Sequence, residues 1–150
     1  MKHSLFGLGW ALGAVVTVTA LPARVHAEPP ALRAQLICQR AASPGRIVCE
    51  LSTSAASGRL VWSDGLVVRA PSFAPPLRSR CVAKLESATE PGVAKAKLAL
   101  VASTPGRGQL ELLARGVVCR EGPNGEWCAP EVVPVSALVD VGPLAPESAP

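Results

Sequence analysis

From residue 31 onward, apolar and polar positions alternate in short runs of period two, each closed by glycine or proline, with β-branched residues frequent. Period two sends successive side chains to opposite faces of a strand, so the pattern predicts a series of short strands. The first two are Ala31–Arg40 and Arg46–Ser54, joined through Ala42-Ser43-Pro44-Gly45. The next pair is Arg59–Trp62 and Leu66–Ala70 around Ser63-Asp64-Gly65, where Asp-Gly is a signal for a tight hairpin. A third pair, Arg80–Ser87 and Val93–Ala102, turns at Glu90-Pro91-Gly92, and Pro-Gly suits the centre of a type II turn.

The run Ser103 to Gly108 then leads into Gln109–Arg120, Gly122-Pro123-Asn124-Gly125 makes the last turn, and Glu126–Val141 closes the series. Pro130 and Pro134 mark that final segment as an edge strand or a bulged one. Val93–Leu100 consists of good helix formers. Its odd positions carry both lysines and its even positions only Ala and Leu, which predicts a strand, with a short helix as the alternative. Residues 70–79, rich in proline, read as a crossover between sheets or an exposed loop. The whole is an all-β chain, an antiparallel β-sandwich or partly open barrel of about seven to eight strands.

The N-terminus breaks this pattern. Lys2 and His3 precede an uncharged run from Ser4 to Leu21, and Val25-His26-Ala27 is a small-residue cleavage pattern. Residues 1–27 are therefore expected to be a cleaved secretory signal, cut after Ala27, with a cut after Ala20 or an uncleaved membrane anchor as the alternatives. The absence of an Arg-Arg pair before the apolar run favours the general secretory route over twin-arginine export. The expected layout is a single β domain over 28–142 and a C-terminal tail over 143–150, exported to a periplasm or secreted, with no membrane span in the mature chain.

Composition narrows the chemistry. The formal charge is +4, and two of its cations, Lys2 and Arg24, belong to the signal. The remaining arginines are scattered, and the aromatics beyond the signal are only Trp62, Phe73 and Trp127, so the clustered basic face and stacking aromatics of a nucleic-acid binder are missing. Both histidines, His3 and His26, fall in the signal, which removes the commonest general base, metal ligand and nucleophile partner. No catalytic residue, cofactor or metal site is assigned.

Five cysteines in an exported chain suggest disulfides with one thiol left over. In an antiparallel pair, facing residues are equidistant from the turn. The midpoint of Cys38 and Cys49 falls between Ser43 and Pro44, and that of Cys119 and Cys128 between Pro123 and Asn124. Both midpoints lie inside turn sequences, so the expected disulfides are Cys38–Cys49 and Cys119–Cys128, with Cys81 free. The competing scheme crosses Cys81 to Cys49 or Cys119 between sheets. Zinc is disfavoured by the wide spacing and the lack of histidine. Cys81 is read as a buried apolar residue, against a reactive thiol activated by Arg78, Arg80 and Lys84, or an intermolecular bridge.

Other candidates have structural explanations beside functional ones. Asp64 suits a tight turn. Glu86 and Lys97 are placed to face each other across the third hairpin. Glu121, Glu126 and Glu131 surround the last turn without matching a calcium loop. Trp127, beside Cys128, packs in the core or anchors a partner. Arg78 and Arg80 in 75–80, and Arg107 in 104–107, sit on proline-stiffened segments of the kind that enters a protease cleft. The expected role is a non-catalytic binding or structural module of the envelope or secreted space, with a protein partner; the alternatives are a protease inhibitor and, third, an enzyme or redox protein using Cys81 or the glutamates.

Overall fold

The computed structural model describes residues 30–86 and 92–143. The signal at 1–27, the turn at Glu90-Pro91 and the tail beyond Pro143 lie outside the described residues. The strands are β1 (Leu32–Cys38), β2 (Gly45–Ala55), β3 (Arg59–Arg69), β4 (Arg80–Val82), β5 (Lys84–Leu85), β6 (Val93–Ala102), β7 (Gly106–Gly122) and β8 (Gly125–Val141). They form two four-stranded antiparallel sheets, β1-β2-β6-β5 and β4-β3-β7-β8. The chain is all-β and fits a sandwich whose sheets are not closed.

The alternation read from the sequence is the alternation of burial. On β2 the residues Ile47, Cys49, Leu51 and Thr53 point inward, and on β6 Ala94, Ala96, Leu98, Leu100 and Ala102 do so. Across the interior, β7 contributes Leu110, Leu112, Ala114 and Val118, and β8 contributes Val139 and Val141. Thr53 donates a 2.7 Å hydrogen bond to Ser63 Oγ between the sheets, so both buried hydroxyls are satisfied. β6 is a strand along its whole length, because even-numbered Ala and Leu are buried and the two lysines point outward.

Two expectations are corrected. Ser63-Asp64-Gly65 is not a hairpin: β3 runs unbroken through it, paired to β7, with register shifts at Leu60/Trp62 and Val67/Arg69. Gly65 is there for closeness rather than turning, since a Cβ at this position would come within 2.7 Å of Leu51 Cδ2 and 3.0 Å of Cys81 Sγ. The third hairpin also differs in register. Lys84 faces Lys95, and Glu86 bonds Lys95 at 3.3 Å instead of meeting Lys97.

The strand over 80–85 breaks at Ala83, pairing with β3 before the break and with β6 after it. It thereby joins the two sheets along one side of the sandwich. On the opposite side β1 packs against β8, and just past the end of β1 the Ala41 N–H donates to Asp140 O at 3.1 Å while its carbonyl accepts from Gly142 N–H at 2.9 Å. β8 is an edge strand, as its prolines require, and its register with β7 has no shift, so it carries no bulge. Pro130 and Pro134 share one parity, so both missing N–H groups lie on one side of the strand, and an edge strand has one side without a ladder.

The segment 70–79 leaves β3, passes to the edge of the other sheet and returns to β4, and it is tied down on the way. Phe73 O accepts from Ser103 N–H, Pro75 O accepts from Val101 N–H, and Leu77 N–H donates to Ala99 O, at 2.9 to 3.0 Å. It lies along β6 as an added edge, with Ala74 fully buried beneath.

Candidate functional site

The outer face of the β4-β3-β7-β8 sheet carries the least expected chemistry. Alternation puts Trp62, Asp64 and Leu66 of β3 outward, where Asp64 stands opposite Arg115 of β7 and Leu66 opposite both Arg80 of β4 and Leu113. Asp64 is nevertheless 0% exposed. Arg115 grips it as a fork, with Nε on Oδ1 at 2.8 Å and a terminal nitrogen on Oδ2 at 2.6 Å. Arg80 Nε also donates to Oδ2, and the Arg80 guanidinium lies 5.9 Å from the centre of the Trp62 ring.

Burial pushes the Asp64 carboxyl up, but the hydrogen bonds and charges of Arg115 and Arg80 outweigh it and hold the carboxyl below its ordinary value. One carboxylate thus orders two guanidiniums and leaves the group net positive. This clamp was not read from the sequence. Asp-Gly taken as a turn hid it; an aspartate at an outward position of one continuous strand, with arginines on two other segments, was the available signal.

Around the clamp the face is apolar. Trp62, Val82 and Val132 are exposed beside it, with Val132 at 55%, and Leu66, Leu113 and Val117 are half-buried there. Val68 and Leu138 are exposed further along the face among Gln109, Glu111 and Ser136. A hollow of about 400 Å³ lies among Val68, Glu111, Leu113, Pro134 and Ser136.

The cysteines pair as Cys38–Cys49 and Cys119–Cys128, each across its own hairpin, directly opposite in the ladder. Such bridges belong to an oxidising environment. Glu126 lies near the second pair, but both sulfurs are spent in the disulfide and Glu126 bonds Arg59 at 2.8 Å, so this group offers no thiolate to a metal. Cys81 is free and 7% exposed on the inner face, its thiol donating weakly to Gly65 O at 3.7 Å. Burial foremost, and the Asp64 charge, push its pKa up, which keeps it a protonated thiol.

Trp127 does not pack in the core. It is 50% exposed at the tip of the β7–β8 hairpin, with the Arg120 guanidinium 5.6 Å from its ring centre. Arg78 is exposed after the docked segment 75–77, Arg80 is held in the clamp, and Arg107 lies within β7 opposite Asp140 rather than on a loop. The structure thus brings Arg78 and Arg80 together and leaves Arg107 and Trp127 apart from them.

A second cavity, of about 480 Å³, opens where β4 parts from β6, and Arg46, Arg78, Arg80 and Lys97 are in its wall. Among the described residues there is no helix long and apolar enough to cross a membrane. No protein-family model matches the chain, and no curated protein and no solved structure matches it.

Proposed function

We propose that the chain is a non-catalytic binding module of an exported, oxidising compartment that docks a protein partner on the outer face of the β4-β3-β7-β8 sheet. The observation that carries this is the grouping of Trp62, Val82 and Val132 around an ordered pair of arginines, with Val68 and Leu138 exposed further along the same face. Tryptophan and arginine, fixed in place and rimmed by apolar surface, are the residue types that anchor protein interfaces. Pre-fixed side chains also lose little entropy on docking. Export is supported by the N-terminal pattern of the sequence and by the two disulfides.

The alternative, presentation of Arg78 or Arg107 to a protease, has less support. Pro75 O and Leu77 N–H, which such a loop would offer to a cleft, are bonded to β6, and Arg107 is inside a strand.

Val132→Asp and Leu138→Asp place charges on the proposed face, and Ser52→Asp does so on the outer face of the other sheet. Pull-down from the native envelope fraction is expected to enrich the same protein with wild type and Ser52→Asp, and to lose it with Val132→Asp and Leu138→Asp at unchanged melting temperature. Equal enrichment by all four proteins, or none above the bead control, overturns the reading.

A further inference from the structure

The cavity between β4 and β6 follows from the sheet switch. Residues 80–82 belong to β4 and pair with β3, whereas Lys84 and Leu85 pair with β6, so the strand leaves β6 as it passes Ala83. The segment 75–77 rejoins β6 higher up, bridging Pro76 to Leu100. Between these two attachments, residues 96–98 of β6 have no ladder partner on this side among the described residues. The wedge left open is the 480 Å³ cavity, a volume within the range of small-molecule sites.

Its charge is one-sided. Arg46, Arg78, Arg80 and Lys97 are in its wall, and no carboxylate is. The neighbouring cavity beside β5 differs, because Glu50 and Glu86 line it together with its lysines. Several other cations are paired, Arg40 with Asp140, Arg59 with Glu126, Arg69 with Glu111 and Lys95 with Glu86. Arg33, Lys84 and Arg107 stand exposed and singly among the described residues, so what marks the slot is the gathering of its cations around one gap. Arg46, Arg78 and Lys97 have no ion pair among the described residues; Glu50 faces Lys97 in the β2–β6 ladder without bonding it. Asp64 bonds Arg80 from behind but is shared with Arg115, so it orders Arg80 without cancelling both cations.

We propose that this slot binds a tetrahedral oxyanion, the phosphate or sulfate ester of a small molecule. The guanidiniums of Arg78 and Arg80 match an oxyanion's edge, Arg46 and Lys97 add charge, and Leu77 and Val82 receive the apolar part of the ligand. Mutual repulsion of four cations around one cavity is relieved by the bound anion. Arg80, pinned by Asp64 and Trp62, meets the ligand already ordered.

The test is calorimetric titration of the full chain with inorganic phosphate, and flotation with phosphatidylglycerol vesicles, at fixed ionic strength. Wild type, the double variant Arg78→Ala/Lys97→Ala and Arg33→Ala are compared; Arg33 is an exposed cation outside the slot wall. Arg78 and Lys97 are exposed, so the double variant is expected to melt as wild type does. Saturable phosphate binding, weakened roughly tenfold to a hundredfold in the double variant and unchanged in Arg33→Ala, supports the site. Vesicle binding alone, lost only in the double variant, supports it with a lipid headgroup as the source. Saturable binding of neither probe, or equal weakening by Arg33→Ala, overturns it.

Discussion

The two sheets are built from the same alternation, yet their outer faces diverge. Outside β1-β2-β6-β5 stand Arg33, Gln35, Glu50, Ser52, Ser54, Lys95 and Lys97, with only scattered apolar groups such as Ile37 and Val101. That is the ordinary solvated side of an antiparallel sheet. Outside β4-β3-β7-β8, apolar positions continue through Trp62, Leu66, Val82, Leu113, Val132 and Leu138, and the one central carboxylate is buried beneath two arginines. A sheet apolar on one face needs only its partner sheet. A sheet that is also apolar over part of its outer face has unfinished burial there, and here the polar centre of that part is ordered rather than solvated.

Neighbouring leucines on β7 give the sharpest way to break this comparison. Leu112 is fully buried inside and Leu113 is half-buried outside. Leu112→Ala is expected to cost about 3 kcal/mol, through lost burial and the cavity left behind. Leu113→Ala should cost less than about 1 kcal/mol in the isolated protein, where that side chain remains partly wet. Urea denaturation of both variants measures the contrast, and equal costs would mean that the outer face is already covered.

Asp64→Asn probes the ordered centre and is expected to cost roughly 2–3 kcal/mol at neutral pH, because two adjacent guanidiniums lose their shared countercharge. The pH dependence has a definite sign. The Asp64 carboxyl is held below its ordinary value in the fold, so its stabilisation is complete above the unfolded aspartate pKa of about 3.9. It is lost as pH falls from there through the lower folded value. Denaturation profiles between pH 7 and pH 2 should therefore show a shallower acid limb in Asp64→Asn than in wild type.

On the polar face, Glu86→Ala removes an exposed pair with Lys95 and should change stability by only a few tenths of a kcal/mol. A cost comparable to that of Asp64→Asn would erase the distinction between the faces.

How much of this was legible along the chain depends on how local its cause is. Each disulfide joins residues in one hairpin, so the midpoint between two cysteines and the chemistry of a turn suffice to pair them. The strand character of Val93–Ala102 and the edge position of the last strand likewise follow from alternation and from prolines within a few residues. Asp64-Gly65 shows where local rules stop. The dipeptide favours a turn, but Gly65 is required by Leu51 and Cys81 from other strands, and Asp64 is paid for by arginines 16 and 51 positions away.

The cationic slot lies further still from any local signal, since it exists only where the strand over 80–85 changes sheets and brings Arg46, Arg78, Arg80 and Lys97 around one gap. Period and turn chemistry act over neighbouring residues and so specify strands, hairpins and their disulfides. Which charges meet, and which faces stay uncovered, depends on pairings between distant strands, and those are selected by the packing of the whole chain.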